Sequence, residues 1–177
     1  AAGNFAWSQV LPFIAVQMAG AAAGAGTVWL FYRHHFNRTE DGGTQLACFA
    51  TGPAIRKPLS NFISEVIGTF VLIFVILYIA DPSILLEDGA EVKMGLGTLG
   101  ALPVALLVTA IGISLGGTTG YAINPARDLA PRFMHMLLPM KHKGSSDWAY
   151  AWIPVAGPLV GALIAAGFFL LQGILVN

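Results

Sequence analysis

Three stretches of this 177-residue chain, 1–32, 94–126 and 148–177, contain no Asp, Glu, Lys or Arg. About 20 mainly apolar residues carry a helix across the hydrocarbon of a bilayer, so each stretch is long enough to span. A fourth run, from Pro58 to Ala80, is interrupted by Glu65 alone. A single carboxylate is tolerated there when it faces the interior of a bundle and finds hydrogen-bond donors. A water-soluble domain would need charged surface around its core. With 56% hydrophobic and 10% charged residues and a mean hydropathy of +0.72, this chain cannot supply it. Its solvent is mostly lipid, which predicts a multi-pass integral protein of the cell membrane.

The same composition removes several functional classes. Net charge is zero and the isoelectric point is about 7.1, so neither a nucleic-acid surface nor a polybasic tail is indicated. The lone Cys48 excludes an internal disulfide or a cysteine-based metal cluster, and the four histidines lack a zinc-ligand spacing. No metal and no cofactor are expected. No nucleophile, base and orienting group cluster at one helix end, which argues against an enzyme.

Run length, flanking charges and breakers predict spans at about 9–32, 60–80, 97–115 and 149–172, all in one membrane domain covering 1–177. The connections at 33–57 and 81–93 are polar and read as loops. Small residues recur at fourth positions, Gly20 with Gly24 and Gly157 with Gly161, a spacing that lets helix backbones approach closely in any kind of membrane protein.

The segment between the third and fourth spans fits neither a loop nor a crossing. It begins Gly116, Gly117, Thr118, Thr119, Gly120, Tyr121, Ala122, Ile123 and continues Asn124, Pro125, Ala126, Arg127, Asp128. The apolar run that follows, Leu129 to Met140, is too short to span and contains Arg132. Asn124 is a favoured N-cap, Pro125 suits the first helical position, and Asp128 puts a negative charge in the first turn. The reading is a re-entrant segment over 116–138: extended, glycine-rich backbone, then a half-helix whose N-terminus points into the protein. Irregular backbone at membrane depth is allowed only where protein or a water-filled cavity satisfies it, which implies a pore or a binding site.

On these residues the chain resembles the aquaporin superfamily, the major intrinsic proteins, whose hallmark is an Asn-Pro-Ala triplet opening a half-helix in each of two inverted repeats. Asn124, Pro125 and Ala126 match the second triplet, and Arg127 follows at once. Gln17 with Gly20, Glu65, the Gly112 to Asp128 segment, and Gly157 with Pro158 also stand where this family would place them. The resemblance implies an all-α, aquaporin-like right-handed helical bundle with a re-entrant half-helix, assembled as a homotetramer. That fold needs six spans and two half-helices, whereas four spans and one half-helix are legible. The expectation is therefore that the N-terminal two spans, the first half-helix and a further filter aromatic precede residue 1, with Ala1 to Trp7 resembling the tail of that half-helix.

Within the family the resemblance favours glycerol facilitators. Asp128, Tyr32, Arg132, Pro154 and Val155 look like the choices of that subgroup, and Gly112 stands where strict water channels place a narrowing histidine. Tyr121 occupies the aromatic filter position, where phenylalanine is commoner. The implied function is a passive channel for glycerol and other small neutral solutes such as polyols or urea, with water, excluding ions and protons. Glycerol has a hydroxylated edge and a hydrocarbon edge. Arg127 would donate to the first and Tyr121 would contact the second, while backbone carbonyls from Gly116 to Ile123 would accept. Asn124 would cap the half-helix with its carbonyl oxygen and turn its amide toward the solute. Glu65 would be a structural acceptor orienting pore backbone rather than a proton relay.

The alternatives are a water-selective aquaporin, a secondary transporter with a broken-helix substrate site, and a non-conducting structural fragment. Family topology places loops 33–57 and 127–147 outside. These hold eight Lys and Arg residues against Lys93 alone in the 81–93 loop, the reverse of the positive-inside bias.

Overall fold

The computed structural model describes residues 5–79, 82–87 and 89–176. Among the described residues, six α-helices carry the architecture: α1 (Trp7–Phe36), α2 (Gly42–Ala47), α3 (Pro58–Tyr78), α4 (Leu102–Thr119), α5 (Pro125–Leu137) and α6 (Ile153–Val176). A 3-10 turn at Gly97–Ala101 leads into α4, and strands β1 (Ser83–Leu85) and β2 (Glu91–Lys93) pair antiparallel between α3 and that turn. Four of these segments, Trp7–Phe36, Pro58–Tyr78, Leu99–Thr119 and Ile153–Ile174, are long and apolar enough to cross a membrane.

Helix ends differ from the sequence expectation for local reasons. Helix α1 runs past Tyr32 to Phe36 because no breaker stops it and Arg33, His34 and His35 suit the negative end of its dipole. Tyr32 leaves helical geometry, at φ −104° and ψ 15°, and puts a kink there. Pro58 sits in the first turn of α3, where its missing N–H costs nothing; the expected final residue of this span, Ala80, lies outside the described residues. Helix α4 continues through Gly116 to Thr119 instead of ending at 115, and α6 starts at Ile153 rather than 149. The loop at 33–57 contains α2, nucleated by Asp41, whose carboxylate accepts from the N–H groups of Gly43 and Thr44. The loop at 81–93 contains the hairpin, with Gly89 at φ 83° in its turn.

Helices α3 and α6 form the central pair; α4 packs on α3, while α1 packs on α5, which also touches α6. Within the most apolar window of each span, 28% of α3 and 33% of α6 is buried, against 0% of α1 and 6% of α4. The close approach of α3 and α6 rests on Gly157, Gly161 and Ala165, one stripe at i, i+4, i+8. A Cβ on Gly157 would stand 2.6 Å from the Cβ of Glu65, and one on Gly161 would overlap the Val66 carbonyl oxygen. The other glycine pair behaves differently: a Cβ on Gly20 or Gly24 would meet nothing within 4 Å. Those two residues therefore meet no other described part of this chain at that distance.

The outward faces of α1 and α4 are apolar, with Phe31 79% and Ile113 83% exposed. Such surface is stable against lipid or other membrane-embedded protein, and the chain is an integral membrane protein.

Candidate functional site

The site is built where α4 ends. Gly120 closes that helix in the left-handed conformation at φ 77°, donating its N–H to the Gly116 carbonyl. Only glycine fits, since a Cβ there would also stand 3.0 Å from Gly52 N and from the Thr51 Cβ. The chain then runs without helix through Tyr121, Ala122 and Ile123. Tyr121 at φ 41° and Ile123 at φ 46° are left-handed non-glycine residues, each strained by about 1–2 kcal/mol.

The strain persists because the segment is held from one side. Glu65, 1% exposed on α3, accepts the N–H of Ala122 on Oε1 at 2.8 Å and of Ile123 on Oε2 at 2.9 Å. Tyr121 N donates to the Thr119 hydroxyl at 3.0 Å. With three successive N–H groups tied back, carbonyls are left for the other side. Arg127 takes two of them, through Nη2 to Gly120 O at 3.0 Å and Nε to Ala122 O at 3.3 Å. Its guanidinium lies 4.3 Å from the centre of the Tyr121 ring, a cation–π distance. Among the described residues, the remaining guanidinium N–H groups of this exposed side chain meet no acceptor.

Helix α5 begins beside this segment. Asn124 caps it, Oδ1 accepting from Ala126 N at 2.9 Å, with Pro125 in the first turn. The Asn124 amide donates to Gln17 Oε1 of α1 at 3.0 Å, which spends one of its two hydrogens. The helix N-terminus brings positive potential to the same place as Arg127. A cavity of about 600 Å³ opens there, lined by Tyr121, Arg127 and Thr51 with the small residues Ala21, Gly24 and Ala25 of α1.

Two expectations about this segment need correction. Gly116 to Thr119 are helical, so their carbonyls do not form part of an extended acceptor row. Gly116 O accepts from Gly120, Gly117 O from Ala54 N at 3.0 Å, and Thr118 O from Asn61 Nδ2 at 2.8 Å. The row reduces to Gly120–Ile123. Nor does the missing side chain of Gly112 leave empty space: a Cβ there would stand 3.0 Å from Cζ of Tyr121. The tyrosine ring lies in the volume that a larger residue would claim.

Asp128 and Arg132 do not line the cavity. Both are fully buried, 0% exposed, and one turn apart on α5 they form an ion pair at 2.8 Å. All five guanidinium N–H groups of Arg132 are matched, by both Asp128 oxygens and the carbonyls of Thr51, Ser146 and Asp147. Asp128 Oδ2 also accepts the N–H and hydroxyl of Thr51, each at 2.7 Å. Tyr32, Pro154 and Val155 are not brought to the cavity either; Tyr32 is exposed at the α1 kink and Pro154 is buried in the first turn of α6. Thr51 and the backbone from Cys48 to Gly52, which form one wall, went unrecognised in the sequence. Nothing local marks them, although the i, i+4 spacing of Asp128 and Arg132 is a legible sign of a pair.

The sequence profile of the family described as Major intrinsic protein matches residues 1–169. Glycerol uptake facilitator protein 3 of Lactiplantibacillus plantarum is 52% identical over 168 residues, covering 95% of this chain and 65% of that protein. The glycerol uptake facilitator protein of Streptococcus pneumoniae serotype 4 is 49% identical over 167 residues, covering 94% of this chain and 67% of its own length. The chain thus spans about two thirds of the length of these relatives. Among solved structures, the aquaglyceroporin from Plasmodium falciparum superposes with a TM-score of 0.74 at 27% identity, over 95% of this chain and 66% of that one.

Proposed function

The chain belongs to the major intrinsic protein family, and from that premise we propose that the protein is a passive channel for glycerol and other small neutral solutes, with water. Transport rather than catalysis is its function. The observation that carries the reading is the Arg127–Tyr121 pair, a guanidinium with uncommitted N–H groups 4.3 Å from an aromatic ring at the cavity wall. Hydroxyls of a polyol would accept from the guanidinium while its carbon edge rests on the ring. The carbonyls of Gly120–Ile123 would accept hydrogen bonds from the hydroxyls, and the second amide hydrogen of Asn124 would hold the solute beside the half-helix.

In this reading Glu65 is the scaffold of the filter backbone, and Asp128 with Arg132 latches the half-helix to the Thr51 wall. Arg127 and the N-terminal potential of α5 repel cations and hydrated protons, so neutral urea and small polyols pass while cations do not. Pro125 and Ala126 shape the first turn, Gly112 makes room for the Tyr121 ring, and the assembly is a homotetramer with one pore per subunit.

The test is stopped-flow light scattering of vesicles carrying the full-length protein in a glycerol gradient, beside Gly112→His. Fast reswelling that the variant loses while keeping water flow supports the glycerol filter, because the new side chain would displace the Tyr121 ring. Water flow without glycerol entry makes the protein a water channel. Glycerol accumulation against its gradient makes it a coupled transporter, and no flow of either solute refutes conduction.

A further inference from the structure

The end of the bundle at which α1 terminates carries a concentration of positive charge, of which Lys143 donates to the Met136 and Leu138 carbonyls and Arg33 lies 5.5 Å from the centre of the Trp29 ring. A cavity of about 410 Å³ there is lined by His34, His35, Asn37, Arg38 and Lys141. A neighbouring one of about 360 Å³ shares Asn37 and Lys141 and adds Arg33 and Lys143. Among the described residues, no carboxylate lines either. Asp41, close by in sequence, spends its oxygens capping α2, and Glu40 is exposed. Among the described residues, the ion pairs are Arg56–Asp147 and Arg132–Asp128, so Arg33, Arg38 and Lys141 have no counter-charge.

The arrangement is held in place. Gln45, fully buried, lies with its amide nitrogen 3.0 Å from Phe36 O, 2.7 Å from Thr39 O and 2.6 Å from Lys141 O. Lys141 N donates to Asn37 Oδ1 at 3.3 Å, which leaves the Asn37 amide hydrogens as donors toward a ligand. Trp29 donates to Pro139 O at 3.3 Å. Depth follows from the same residues. Trp29 lies about one turn before Arg33 and Tyr32 immediately before it, and such rings settle at the level of lipid headgroups. One turn below His34 and His35, on the same helix face, stand Leu30 and Phe31, 65% and 79% exposed. Cations and amide donors thus sit at headgroup depth above an apolar track.

We propose that this pocket binds the phosphate of an anionic phospholipid, with Arg38 and Lys141 as the principal contacts and the acyl chains running down α1 past Leu30 and Phe31. The site is separate from the filter, and it accounts for the unpaired cations at this end of the bundle.

The experiment uses the full-length protein in phosphatidylcholine nanodiscs doped with phosphatidylglycerol, with native mass spectrometry of retained lipid. Wild type should retain phosphatidylglycerol selectively. Arg38→Gln with Lys141→Gln should weaken that retention about five-fold per cation removed, roughly 25-fold together, whereas Arg38→Lys with Lys141→Arg should keep it. Lys93→Gln, on the β-hairpin, should leave it unchanged. Equal retention of phosphatidylcholine, or full retention by the double glutamine variant, overturns the proposal. Displacement of the lipid by inorganic phosphate alone would assign the pocket to a soluble anion and overturn it as well.

Discussion

Replacing Glu65 with Gln probes the proposed filter with the least change in shape. In the native chain one buried carboxylate satisfies two backbone N–H groups, of Ala122 and Ile123, at 2.8 and 2.9 Å. A glutamine keeps one acceptor and presents an NH₂ group to the other N–H. One charge-assisted bond, worth about 1.5–3 kcal/mol, is lost, because the second N–H is left without an acceptor. The segment it restrains stores strain at Tyr121 and Ile123, together about 2–4 kcal/mol. The lost restraint matches the stored strain, so the segment should relax and carry the Gly120 and Ala122 carbonyls away from Arg127. A shift of about 3 kcal/mol changes the occupancy of the ordered loop roughly 100-fold.

The expected result is a fall in glycerol flux of at least about tenfold, with faster hydrogen exchange at the Ala122 and Ile123 amides and the spans still protected. Glu65→Leu, which offers no acceptor, should be worse on both measures. Native flux with native exchange in the glutamine variant would refute this account of the carboxylate. Lost function with unchanged exchange would point instead to a proton-carrying role.

Three further outcomes are expected. Gly161→Ala places a methyl group against the Val66 carbonyl and 3.0 Å from Phe70 N. Backbone cannot yield there, so the variant should lose about 1–3 kcal/mol of stability, read as a lower melting temperature in detergent; an unchanged melt would mean that α3 and α6 are spaced more widely. Asp128→Asn strands the buried Arg132 guanidinium and should cost about 3–5 kcal/mol, with part recovered when Arg132→Met is added; additive losses in the double variant would contradict the pairing. Asp41, held below the ordinary carboxylate value of 3.8 by the Thr44 hydroxyl and then the Thr44 and Gly43 N–H groups, supports α2 only while ionised. Its lowered folded value means that protection of those two amides is full above 3.8 and lost as pH falls through the folded value. Loss already near neutral pH would contradict the cap.

Much of the architecture is written locally. Charge-free runs declare spans, because burying an unpaired charge in hydrocarbon is costly at any position. Asn124, Pro125 and Asp128 declare a helix start, because the first turn needs an acceptor, tolerates a missing N–H and favours negative charge. These signals act within a few residues and can be read without a partner. They fail where two local preferences compete: Gly116 and Gly117 suggest extended chain, yet α4 runs through them because it stops at the first residue forced left-handed, Gly120.

Partner choice was decided only by the tertiary structure. Sequence shows that Glu65 is buried and needs donors; that they are the Ala122 and Ile123 amides, 57 and 58 residues away, depends on how α3 packs against α4 and the segment after it, where Gly68 lets Ile123 and Leu115 come close. The absent side chain of Gly112 is visible in the sequence, whereas the Tyr121 ring that fills its place is not. Thr51, which completes the Asp128 latch, sits in a loop with no pattern of its own. A hydrogen bond has a range of about 3 Å, so a sequence can state which groups require one, but only packing across tens of residues settles which groups meet.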